Sequence, residues 1–159
     1  MALSDDIALL AALPAFAGFE QAALRRLALS AQTRPVRAGD VLYRQGEPAE
    51  GGFVVVNGEV ALLDAAGHVR ERAGVGCLLG ELALVIETDW QATAVVEDDG
   101  AVLRLSRALI GRVLEEFPLS AAALQQAIAV QLRQLAMELE VVGQLLQSAQ
   151  AAIPPEPAS

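Results

Sequence analysis

The sequence predicts a mainly β fold with helices, a small barrel or roll set between a short helical preface and a long C-terminal helix. Three observations carry that reading. Between Thr33 and Leu105, apolar runs of strand length alternate with clusters of Gly, Pro, Asn and Asp, the punctuation of several short strands. Up to Ser30 and after Ser106 the apolar spacing is instead helical. Finally, 159 residues with 54% hydrophobic and only 4% aromatic side chains suit one ordinary core built from Ala, Leu and Val, with no room for a second catalytic domain. The expected layout is N-terminal helices over 1–30, the roll over 31–106, a short and a long helix over 107–149, and a disordered Pro-rich tail over 150–159.

In chain order, Ser4 with Asp5 and Asp6 reads as a helix cap, Pro14 breaks the first helix, and residues 19–29 put Leu24, Leu27 and Ala28 on one face. Strands are expected at 41–43, 53–56, 59–63, 69–72, 92–96 and 101–105. Turns are expected at 38–40, 46–48, 51–52, 57–58, 64–67 and 98–100. Asn57-Gly58 is the strongest hairpin signal among them, because a type I′ turn needs positive φ at both central residues. A helix over 106–116 ends at the break of Pro118, and residues 120–149 contain no Pro and a single Gly. Leu119 and Leu124 stand where a hydrophobic staple would bracket a Ser120 cap.

The long helix carries a heptad pattern. With Leu132, Leu139 and Leu146 at a, the d positions are Ala121, Ile128, Leu135 and Val142, and Gln125 is the polar a position. A parallel homodimer through Ile128, Leu132, Leu135, Leu139, Val142 and Leu146 is the expectation, against the alternative of one amphipathic core helix.

Charge and inventory remove several function classes. Eleven basic residues, all arginine, against twenty acidic ones give a net charge of −9, which repels a nucleic-acid backbone and argues against direct DNA or RNA binding. The apolar stretch at 7–17 looks like a signal peptide, but Asp5 and Asp6 stand where positive charge is needed and Pro14 interrupts it. No apolar run reaches membrane-spanning length, so no membrane partner is expected. One cysteine, Cys77, and one histidine, His68, exclude an internal disulfide and a Cys/His metal site, leaving a reducing cytoplasm as the expected setting. The same inventory assembles no triad or thiol catalyst, so no enzyme is expected. Cys77 itself, in Gly74-Val-Gly-Cys-Leu-Leu79, reads as a small core residue.

The segment that carries chemistry is Gly80-Glu-Leu-Ala-Leu-Val-Ile-Glu-Thr-Asp-Trp-Gln-Ala-Thr-Ala94. A glycine at 80 allows close backbone approach, and the turn from Leu82 to Ile86 is expected to offer free N–H groups at a helix start to an anion. This stretch resembles the phosphate-binding cassette of the cyclic nucleotide-binding domain family, in its Crp/Fnr branch. Residues 38–60, from Ala38-Gly-Asp to Gly58-Glu-Val60, are similar to the family's strands leading into the pocket, and the likeness covers about 9–149.

The resemblance implies a double-stranded jelly-roll β-roll with a dimerisation helix, acting as a regulatory sensor for a cyclic nucleotide or another small anion. It implies a ligand site at Gly80, Glu81, Leu82, Ala83, Trp90, Gln91 and Thr93, with Glu81 accepting from the ribose 2′-hydroxyl and Gln131 and Gln134 facing the base. The family's phosphate-pairing arginine stands nine residues after that glutamate, and here that residue is Trp90, with Asp89 in place of proline before it and Gln91 in place of a small residue after it. Losing a bidentate cation and adding a carboxylate weakens any anion site. Arg70 or Arg72 could reach inward as a substitute, although strand alternation points them to solvent. Trp90 reads as a packing residue or a stacking platform, and Glu81 as a ligand contact or a turn cap. Two functions follow: a Crp/Fnr-like sensor lacking its own DNA-binding domain, or a degenerate, ligand-free dimeric interaction module acting through a protein partner.

Overall fold

The structure, a computed structural model, describes residues 2–152. Its spine is a pair of long antiparallel strands, β4 (Gly51–Leu63) and β8 (Thr93–Ser106), which belong to both halves of a roll. Around their inner ends lie β1 (Gln32–Val36) on β8 and β6 (Leu78–Leu79) on β4. Around the other ends lie β2 (Val41–Tyr43) on β8 and β5 (Val69–Ala73) on β4. A separate two-stranded ladder joins β3 (Pro48–Ala49) to β7 (Thr88–Asp89). This is the roll that the strand spacing predicts.

The Asn57-Gly58 hairpin is not formed. The chain passes straight through as one strand, and the ladder with β8 shifts register on both sides of Asn57 and again after Glu59. Gly58 does take the positive φ its turn signal promised, +90°, but in a bulge that bends β4. The expected turn at 98–100 likewise lies inside β8, and a Cβ on Gly100 would collide with the Asn57 carbonyl. A positive-φ glycine serves a tight turn and a bulge equally well. Pairing with a strand forty residues away decided between them. The 64–67 turn is a hairpin as expected, with Asp64 Oδ1 accepting from the N–H groups of Ala66 and His68 at 2.9 Å each.

Period-2 alternation in the long strands separates two cores. Val54, Leu103 and Leu105 face the helices, while Phe53, Val55 and Val102 face the roll interior with Tyr43, Val60 and Leu79. The helical layer is α1 (Ala2–Ala11), a single 3₁₀ turn at Pro14–Phe16, α2 (Gln21–Ser30), α3 (Arg107–Glu116) and α4 (Pro118–Ala152). Ser4 lies within α1, not at its cap. Ser106 does cap α3, its side chain accepting from the Leu109 N–H at 3.1 Å.

Pro118 opens α4, since its fixed φ and missing N–H fit a first helical position. Ser120 therefore sits inside the helix, fully buried, and its hydroxyl accepts from the Glu20 N–H at 2.9 Å. Leu119 is 70% exposed, so the expected staple does not form. Leu124 and Ile128 pack into the chain's own helical core, which removes Ile128 from the expected dimer seam. Leu132, Leu135, Leu139 and Leu146 remain exposed along α4, from 42% at Leu135 to 67% at Leu139. The helix runs past the expected end at 149 to Ala152; the Val142 side chain and the tail from 153 lie outside the described residues.

Candidate ligand cavity of the roll

Between β6 and β7 the chain makes the cassette turn. Gly80 has φ +84°, and Leu82–Leu84 form one 3₁₀ turn. The N–H groups of Ala83, Leu84, Val85 and Ile86 donate to carbonyls of the turn itself, at Gly80, Glu81 and Leu82. Those of Glu81 and Leu82 have no backbone acceptor among the described residues. Arg107, the first residue of α3, holds the turn from behind. Its Nη1 donates to the carbonyls of Ala49, Ala83 and Ile86 at 3.0, 3.1 and 3.1 Å. Sequence reading missed this residue, because nothing in the local pattern marks an arginine whose three acceptors are backbone atoms of two other segments.

Trp90 closes onto the glycine. A Cβ on Gly80 would stand 2.6–2.7 Å from the indole ring, so no other residue fits there with Trp90 in place. The indole stacks on Tyr43 with centroids 3.6 Å apart and an 11° tilt, and Phe53 follows 6.1 Å away. Its backbone is fixed as well, with the N–H donating to Glu47 O and the carbonyl accepting from the Gly46 N–H, each at 2.9 Å. Trp90 is thus a wall, and it does not fill the pocket.

A cavity of about 710 Å³ opens beside that wall. Gly80, Glu81, Leu82, Ala83, Trp90 and Gln91 line it, and from α4 come Gln131 and Leu135. Two sequence-predicted positions are absent from the lining. Gln134 is exposed on α4, and the Thr93 hydroxyl accepts from the Gln45 N–H at 3.0 Å. Cys77, expected in the core, is exposed and lines the cavity. The Cys77 carbonyl accepts from the Val55 N–H of β4 at 3.0 Å, while the residue itself stands exposed at the cavity rim.

The electrostatics of the lining are one-sided. Glu71, Glu81 and Asp89 face it, no arginine is among the residues lining it, and the sequence contains no lysine. Alternation on β5 sends Glu71 inward. Arg70 and Arg72 are exposed, and Arg72 Nε donates to Glu97 at 3.0 Å, so neither replaces the missing phosphate clamp. Burial pushes the Glu81 carboxyl above the usual glutamate value. Burial, and then the Glu71 charge, push the Tyr43 phenol up to about 12. Gln131 Oε1 is shielded from solvent and has no hydrogen-bond partner among the described residues.

A second recess of about 360 Å³ lies across the aromatic stack, sharing Tyr43 and Trp90 with the first and lined by Arg34, Arg44 and Arg104 with Glu47 and Glu50. Arg104 pairs with Glu50 at 3.3 Å and Arg44 with Glu47 at 4.0 Å.

A double-sheet roll, a glycine-led cassette and a long helix lining the same cavity together define a Crp-like regulatory domain. A family model described as the cyclic nucleotide-binding domain matches residues 33–117, and the chain belongs to that family. It is 31% identical over 121 residues to an uncharacterized NTE family protein of Mycobacterium tuberculosis, a match covering 76% of this chain and 21% of that relative. The chain thus spans about a fifth of the length of those relatives. It is 31% identical over 115 residues to the cyclic AMP receptor protein of Thermus thermophilus, covering 70% of this chain and 53% of that one. Among solved structures, the N-terminal domain of a transcriptional regulator from Streptomyces coelicolor superposes with a TM-score of 0.73 at 27% identity, covering 80% of this chain and 94% of that one.

Proposed function

We propose that this chain is a ligand-responsive regulatory domain whose cavity occupancy is read by α4, and that it is a poor receptor for cyclic nucleotides. One observation carries the reading: Glu81 of the cassette and Gln131 and Leu135 of α4 line the same open cavity. A molecule seated there touches both, so binding and helix position are linked. The open cavity favours this over the ligand-free module. The lack of a cation in the lining argues against the exocyclic phosphate of a cyclic nucleotide, whose charge-assisted bonds to arginine contribute about 1.5–3 kcal/mol each.

The exposed leucines of α4 suit a parallel homodimer through Leu132, Leu135, Leu139 and Leu146, so the helix that touches the ligand also touches the partner copy. The net charge of −9 favours a protein as the recipient of the signal over nucleic acid. Catalysis plays no part in this reading: His68 is exposed on a turn and Cys77 stands in a lining without a basic neighbour. No helix of the described residues is long and apolar enough to cross a membrane. The single free thiol suits a cytoplasmic setting.

Cys77 provides a ligand-independent test, being the sole cysteine and standing at the cavity rim. An N-ethylmaleimide adduct there should change amide hydrogen exchange over 124–139, in a chain that sediments as a dimer. A monomeric natural chain, or α4 exchange indifferent to the adduct, ends the reading.

A further inference from the structure

We propose that the roll cavity takes a small organic cation, a protonated amine on an apolar or aromatic body; this deepens the sensor reading and rests on it. Hydrogen-bonding demand points that way first. The charged residues lining the cavity are all acceptors, the carboxylates of Glu71, Glu81 and Asp89, and the Gln131 amide beside them has a shielded, unpartnered Oε1. An acceptor held away from water without a donor is costly, and a ligand carrying N–H donors removes that cost.

Charge points the same way. With no arginine or lysine in the lining, an anion entering the cavity meets three carboxylates and no side-chain cation, and in the turn only the N–H groups of Glu81 and Leu82 are left without a backbone acceptor among the described residues. The Arg107 guanidinium lies behind the turn with its Nη1 on three carbonyls, and it is not among the residues lining the cavity. Glu81 supports the assignment from its own side, because a half-buried carboxylate lacking a cationic partner gains from one.

The remaining lining suits the body of such a ligand. Leu62, Ala73, Leu79 and Leu135 supply apolar surface beside the rings of Tyr43 and Trp90, and about 710 Å³ holds a compact organic molecule. The amine would lie toward Glu81 and Gln131, so a cation bridges cassette and α4.

Three probes sharing one aromatic body separate charge from shape: 2-phenylethylamine, 2-phenylethanol and 3-phenylpropionate, titrated by calorimetry into the full chain at neutral pH. The rate of Cys77 alkylation reports whether each sits in this cavity. The amine should bind at least about tenfold more tightly than the alcohol, equivalent to ~1.4 kcal/mol, and slow alkylation, while the anion shows no protection. Glu81→Gln should lower amine affinity severalfold and narrow the gap between amine and alcohol, and Glu71→Gln serves as a second variant. Equal binding of alcohol and amine, tighter binding of the anion, or no protection by any probe overturns the proposal. If no probe binds and the maleimide adduct still alters α4 exchange, the sensor reading stands and only the cation assignment falls.

Discussion

Two recesses share the Tyr43–Trp90 stack and differ in sign. On the cassette side stand three carboxylates with no cation; on the far side stand three arginines with two glutamates. Both are built from the same strands, since β2, β4 and the approach to β8 contribute to each. The roll therefore leaves the polarity of its cavities open, and a few side chains on the partition decide it. Trp90 holds the decisive position. An arginine there would bring positive charge to the cassette, and the indole instead keeps the cassette side acidic.

Removing the partition should have the largest effect. Trp90→Ala deletes the ring stacked on Tyr43 and seated against Gly80, and joins the two recesses; we expect a loss of about 3 kcal/mol in denaturant unfolding. A loss under about 1 kcal/mol would mean that the stack does not support the roll. Reversing the sign is the next test. Trp90→Arg with Asp89→Asn should raise cyclic AMP affinity at least about tenfold in calorimetry, or ~1.4 kcal/mol. Micromolar binding by the natural chain would break the comparison, and no gain in the double variant would show that the acidic side is closed to phosphate for another reason.

The smallest effect concerns the charge of Glu81 alone. Its carboxyl is raised by burial, so the ionised form destabilises the fold above the raised value and the neutral form below it does not. Glu81→Gln should therefore melt above the natural chain at neutral pH, and the gap should shrink as pH falls through the raised value and vanish below the usual 4.5. A gap independent of pH would assign the difference to packing.

Local signals survived the passage from sequence to structure where their partners are also local. The α3 helix after Ser106 and the Asp64 turn are each decided within a few residues, and each stands as expected. Signals completed by distant chain were read wrongly. Asn57-Gly58 became a bulge because β8 pairs along its whole length, Ser120 became a buried acceptor because Glu20 reaches it, and Ile128 was drawn into its own core. The cavity was half legible. Trp90 was identified as the altered position, but its stack on Tyr43, and hence the open space beside it, depends on β2, whose contribution no spacing announces.

Arg107 has a consequence for how this cassette can change over time. Every residue carries the same peptide carbonyl, so a guanidinium bound to the carbonyls of Ala49, Ala83 and Ile86 is indifferent to which side chains those positions bear. The loop keeps its shape while its chemistry drifts. Mutations that abolish one specificity then leave behind a folded, vacant receptor, from which another can be selected without first rebuilding the scaffold.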